Sequence, residues 1–130
     1  MKGYWDSSAL IQSVKDLALR RQLAADKGFS RRHALAEIFS ALSGRPHHRL
    51  DADQAADIVA ALAAELEFVD LSTEEILQAT KRAKSLGIRG GRIHDYLHAL
   101  AAEKSGATIL FTLDKHDFDG LVRQLTITQV

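Results

Sequence analysis

The sequence predicts an α/β fold of three layers, α/β/α, with a mostly parallel central sheet flanked by helices. Three observations carry that expectation. Strand-like and helix-like segments alternate along the chain, the pattern that builds parallel sheets covered on both faces. The 130 residues, 46% hydrophobic and 26% charged, suit one compact domain over residues 1–130, with no internal repeat and no dividing linker. Carboxylates also fall where elements end or begin: Asp6, Glu37, Asp95 and Asp114, with Asp117 just beyond. The crevice of an open parallel sheet lies at the carboxyl ends of its strands.

Taken in order, residues 2–6 read as a first strand, followed at once by Ser7-Ser8 as a helix N-cap. Residues 8–19 place Leu10, Val14, Leu17 and Ala18 at helical spacing. Gly28-Phe29-Ser30 reads as a very short second strand. Residues 31–42 form a helix with the apolar stripe Ala34, Leu35, Ile38, Phe39 and Leu42, stopped by Ser43-Gly44 and Pro46. Asp51 with Gln54 has the form of a capping box, opening a helix with the stripe Ala55, Ile58, Val59, Leu62 and Leu66. Residues 68–71 read as a third strand. Ser72 with Glu75 is a second capping box, for a helix through Leu86 that Gly87 ends. Gly90-Gly91 leads into a helix over residues 93–104, closed by Gly106. Residues 108–113 are the strongest strand signal, and residues 125–130 form a last strand.

Composition narrows the chemistry. With no cysteine, disulfides, thiolate catalysis and cysteine-ligated zinc are excluded. The N-terminus reaches Asp6 before any apolar signal region, and no apolar run is long enough to span a membrane, so a soluble, cytoplasmic protein is expected. Net charge is zero but uneven. Residues 1–50 carry nine Lys/Arg against four Asp/Glu, and residues 51–130 carry eight against thirteen. A broad basic face for nucleic acid is therefore not expected, and the charge pattern leaves open only a local patch from Arg20, Arg21, Lys27, Arg31 and Arg32. Four or five carboxylates gathered at one sheet edge would repel one another unless a hard cation sat between them, which points to metal-assisted phosphodiester cleavage. In isolation, Asp6 and Asp114 read rather as ordinary polar residues capping the helix or turn that follows. Glu37 is harder to explain that way, because it lies on a strongly apolar helix where an unpaired carboxylate is costly if buried.

The acids sit in four ordered motifs: Tyr4-Trp5-Asp6-Ser7-Ser8, Ala36-Glu37-Ile38-Phe39, Gly90-Gly91-Arg92-Ile93-His94-Asp95, and Thr112-Leu113-Asp114-Lys115-His116-Asp117-Phe118. Through them the chain resembles PIN-domain ribonucleases, and among these the VapC-like toxins of type II toxin–antitoxin systems, over nearly its whole length. The resemblance implies a metal-dependent endoribonuclease using Mg²⁺ or Mn²⁺. Asp6, Asp95 and Asp114 are then the expected direct ligands, Glu37 a ligand or the holder of a metal-bound water, and Asp117 an outer member. Ser7, Ser8 and Thr112 are expected to bond a carboxylate, a metal-bound water or phosphate. Arg31, Arg32, Arg92 and Lys115 are expected to meet the RNA backbone. The expected substrate is a structured RNA of the transfer or ribosomal class, the expected partners a cognate antitoxin and a second copy in a homodimer.

Two other families fit less well. His47-His48 and His94-Asp95 suit the HD-type phosphohydrolases, but those are all-helical and leave Asp6 and Glu37 without a role. A haloacid-dehalogenase-like phosphatase wants an Asp two residues after the first, where this chain has Ser8. His94 and His98, four apart, share a helix face at zinc-ligand spacing, while His94 and His116 adjoin motif acids without an assigned role. The alternative of another class is a non-catalytic PIN-like module holding RNA or a protein, and metal affinity discriminates the two.

Overall fold

The computed structural model describes residues 2–44 and 50–130. Its elements run β1 (Tyr4–Trp5), α1 (Ser7–Lys15), α2 (Leu17–Asp26), β2 (Phe29–Ser30), α3 (His33–Gly44), α4 (Ala52–Ala63) and β3 (Glu67–Phe68), then α5 (Thr73–Arg82), α6 (Arg92–Ser105), β4 (Ile109–Thr112) and β5 (Thr126–Gln129). Short 3₁₀ turns follow α5 and β4. All five strands are parallel, in the order β3-β2-β1-β4-β5, with Tyr4 beside both Phe29 and Leu110.

Strand periodicity divides the core in two. Successive side chains on a strand face opposite sides of the sheet. Tyr4 and Leu110 accordingly join a cluster with Tyr96, Leu97, Ala99 and Phe118, on the α5–α6 side. Their neighbours Trp5 and Phe111 join Leu10, Leu23, Ile38 and Leu62, on the side of α1 to α4. The three-layer expectation is met, and both capping boxes are present, Asp51 with Gln54 and Ser72 with Glu75. Gly87 and Gly106 close their helices in the left-handed conformation that glycine adopts without a Cβ clash.

The first helical stretch differs from expectation. Residues 8–19 are not one helix: the chain breaks at Asp16, whose carboxylate caps α2 through the Leu19 amide at 3.1 Å. Leu17 thereby falls outside the buried stripe and is 65% exposed, while Leu19 and Leu23 take the inward face. The cap of α1 is Asp6, not the serine pair, and its side chain accepts from the Ala9 amide. A carboxylate competes well for this role because it bonds the exposed amides and suits the positive end of the helix dipole. Pro46 and His47-His48 lie outside the described residues.

Chain order places the crevice. From β1 the chain runs to β2 and β3 on one side, then crosses back through α5 and α6 to β4 and β5 on the other. The strand order therefore reverses between β1 and β4, and such a switch point opens a crevice at the strands' carboxyl ends. Asp6 follows β1 directly, and Asp114 follows β4 by two residues.

Candidate active site

Asp6 is buried, and its Oδ1 accepts two bonds, from the Ala9 amide at 2.9 Å and the Ser8 hydroxyl at 2.7 Å. Ser8 Oγ in turn accepts the Leu113 amide at 2.9 Å and lies 3.3 Å from Thr112 Oγ1. These bonds staple the start of α1 to the end of β4, so both strand ends hold a common geometry. Asp114 caps the turn after β4, its Oδ1 accepting the His116 amide at 2.9 Å. Both aspartates are thus helix or turn caps as well as crevice residues. The two roles are compatible, since in each case the capping bonds go to Oδ1 alone.

The aspartates also act on one another. Asp95, in the first turn of α6, is held above the usual carboxylate range at about 6, first by burial and then by the charges of Asp117 and Asp6. Arg92 and His98 offset part of that repulsion. Asp117 is likewise pushed up, by desolvation and then by Asp114 and Asp6, with Arg92 and His116 opposing. Four aspartates from β1, α6 and the turn after β4 therefore share one electrostatic field. Among the described residues, no three Asp, Glu or His side chains are drawn together into a ready coordination shell. The donor set nevertheless suits a hard divalent ion: carboxylate oxygens from several elements, mutually repelling, with no thiolate in the chain.

Glu37 stands apart from this group. It projects from α3, half-buried, with Oε2 accepting from Ser7 Oγ and Oε1 facing His98 Nε2, each at 3.2 Å. Burial alone would raise it. The His98 bond and charge, the His33 charge and the Ser7 bond together bring it below the ordinary range. His98 is 2% exposed, and its other ring nitrogen, Nδ1, lies 2.7 Å from the buried Tyr4 hydroxyl. Glu37 also lines two grooves. One, about 180 Å³, is lined by Ser7, Gln12, Lys15 and Leu113, and the other, about 630 Å³, by His33, Ala36, Ser40 and Gly44.

The basic residues divide. Arg92 lies by the aspartates, with Nη2 donating to the Asp119 carbonyl at 2.7 Å, and Lys115 is exposed on the turn after β4. Arg31 is buried, and Arg32 pairs with Asp70 while its guanidinium lies over the Phe68 ring, 5.3 Å from the centroid. Arg32 is therefore engaged beside β3, whereas the buried Arg31 has no hydrogen-bond partner for Nη1 among the described residues, and its charge acts on Tyr4 and Asp70. His94 and His98 do not form a ligand pair. His94 stacks on His33 at 5.9 Å, and both nitrogens of His98 face Tyr4 and Glu37. His116 lies 3.3 Å from Asp119 through Nδ1. The Tyr4–His98–Glu37 connection is what motif reasoning missed. The only trace of it in the sequence is the three-residue spacing of Asp95 and His98, which puts both on one side of a helix.

Comparison with known proteins agrees with the architecture. The PIN-domain family model matches residues 4–122. The crystal structure of PAE2754 from Pyrobaculum aerophilum superposes with a TM-score of 0.68 at 19% sequence identity, covering 98% of this chain and 89% of that one. At that identity the likeness concerns the fold. No curated protein matches.

Proposed function

Since the chain belongs to the PIN-domain family, whose members are generally nucleases, we propose that it is an endoribonuclease dependent on Mg²⁺ or Mn²⁺. One observation carries this reading: in the crevice of a parallel sheet, Asp95 on α6 and Asp117 in the turn after β4 are held above the ordinary carboxylate range by burial and then by neighbouring aspartates, Asp6 after β1 among them. Clustered negative charge disfavours a polyanion unless a cation lies between, so the cluster suits cleavage better than simple RNA retention.

In this reading Asp6, Asp95 and Asp114 would hold the ion, with Asp117 outside them and Glu37 holding a water beside it. A bound divalent ion supplies charge stabilisation at the scissile phosphate and makes water a better nucleophile. The chain's own residues do the rest. Ser8 and Thr112 keep Asp6 oriented, while Arg92 limits repulsion between Asp95 and Asp117. Lys115 and Lys15 border the approach, where phosphates of a structured RNA loop would pass.

The same reading makes the protein a VapC-like toxin, silenced by an antitoxin whose segment covers the acidic crevice. It also makes it a homodimer. Support for the dimer comes from the groove of about 370 Å³ between α1 and α4, lined by Val14, Ile58 and Leu62 beside the exposed Leu17. A monomeric mass at micromolar concentration would remove that part.

The test is incubation of purified, antitoxin-free protein with a total-RNA pool and Mn²⁺ or Mg²⁺, beside Asp6→Asn and EDTA controls. Discrete products that vanish in both controls are expected. Metal binding with uncut RNA in every lane would instead favour a PIN-like binding module.

A further inference from the structure

Glu37 and Asp95 sit on different helices, α3 and α6, and His98 is a side chain that bonds the first and acts electrostatically on the second. His98 is three residues beyond Asp95 on α6, so the two project from the same side of that helix. Its Nε2 faces Glu37 Oε1 at 3.2 Å, and whenever the ring is protonated its charge reaches Asp95 as well. Tyr4, in the central strand, holds the far side of the ring through Nδ1 at 2.7 Å, and the two rings meet edge-on at 5.8 Å.

The donor order follows from chemistry. An ionised Glu37 can only accept, so Nε2 must carry a proton. In the neutral ring Nδ1 is then the acceptor, and the Tyr4 hydroxyl donates to it. The result is a directional chain, Tyr4 O–H to His98 Nδ1 and His98 Nε2–H to Glu37, anchored in the middle of the sheet. Ser7 holds the second carboxylate oxygen from α1. Glu37 is thereby fixed from both sides although it borders open grooves.

We propose that His98, anchored by Tyr4, is a positioning residue that fixes the Glu37 carboxylate relative to Asp95, so that both serve one cation site. The proposal rests on the metal-dependent reading above. Groups that orient metal-binding carboxylates typically change affinity or activity by about 10–100-fold when removed.

The deciding experiment measures Mn²⁺ binding to the full-length protein by calorimetry, without RNA, for wild type, His98→Gln and His98→Leu. Circular dichroism would confirm that each is folded. A glutamine places its amide nitrogen where Nε2 stood and can still donate to Glu37, whereas leucine cannot. His98→Gln is expected within about threefold of wild type and His98→Leu weaker by about tenfold or more. Equal affinities for the two variants would overturn the proposal. If His98→Leu does not fold, Tyr4→Phe, which removes one hydroxyl, carries the test: weaker Mn²⁺ binding supports the anchor and unchanged binding overturns it. Ring nitrogen chemical shifts of His98 in metal-free protein give an independent arm. Protonated Nε2 with unprotonated Nδ1 is expected, and the opposite tautomer overturns the chain. Wild type that shows the expected tautomer yet binds no Mn²⁺ would sink the cation reading and the proposal with it, while leaving the hydrogen bonds as a feature of the fold.

Discussion

Asp95 is held at about 6 first by its burial and then by the charge of Asp117, which reaches it from the turn after β4. The folded state therefore binds the Asp95 proton more tightly than the unfolded chain, whose carboxyl titrates near 3.8. The associated stability is fully present below that value and is lost as pH rises through about 6. Asp117 is raised too and acts in the same direction. At neutral pH without metal, Asp95→Asn should be more stable than wild type by about 1–2 kcal/mol, after allowing for solvent screening. Urea unfolding in EDTA at several pH values between 4 and 8 checks this. Parallel profiles for the two proteins would show that the repulsion is not felt in solution.

A divalent ion should reverse that penalty. Mn²⁺ or Mg²⁺ at about one hundred times its dissociation constant should raise wild-type stability by about 2.7 kcal/mol, the mass-action gain for a ligand bound only by the folded state. Asp95→Asn and Asp114→Asn should lose most of the response, and Asp26→Asn, remote from the crevice, should keep it. Thermal melts over a Mn²⁺ titration make the comparison. An equal shift in all four proteins would mean non-specific ion binding.

Asp26 closes α2 against the sheet. Its Oδ2 accepts both the Trp5 indole N–H and the Gly3 amide, each at 2.9 Å. Asp26→Ala would leave two donors beside a buried strand without partners, at a cost of about 2–4 kcal/mol. Trp5 is the one tryptophan in the chain and is fully buried, so its fluorescence reports the local change directly. An unchanged denaturation midpoint would show that solvent replaces the carboxylate freely.

The link from α2 to β2 offers a paired test of opposite sign. Lys27 ends α2 with a φ of 48°, a left-handed conformation that glycine adopts more readily than lysine. Lys27→Gly should be neutral or stabilising by up to about 1 kcal/mol. Next to it, a Cβ on Gly28 would stand 2.4 Å from the Gly3 carbonyl oxygen and 2.8 Å from the Trp5 ring. Backbone cannot yield there as a flexible side chain would, so Gly28→Ala should cost more than about 2 kcal/mol. Chemical denaturation of both variants decides, and similar midpoints would contradict the close approach.

The alternation of strands and helices, both capping boxes and the order of the four acidic motifs were all legible along the chain, because each depends on neighbours a few residues apart. Helix caps and periodic stripes are local chemistry, and Asp51, Gln54, Ser72 and Glu75 perform as their spacing implies. The break at Asp16 was not legible. Residues 8–19 carry a continuous apolar rhythm, and only docking onto the sheet decides that Leu19 and Leu23 turn inward while Leu17 is left in solvent. The fate of the arginines was equally non-local, since Arg32 is claimed by Asp70 and Phe68 across the end of β2.

By itself, then, the sequence determined the layer architecture, since strand ends and helix starts are set by local pattern. It also put Asp6 and Asp114 just past β1 and β4, but its grouping of Glu37 with the aspartates is not what the fold makes. Tertiary structure alone decided that Glu37 is drawn to His98, whose other ring nitrogen faces Tyr4. Those partners are distant along the chain, and their hydrogen bonds exist only once the parallel strands have brought α3 and α6 together.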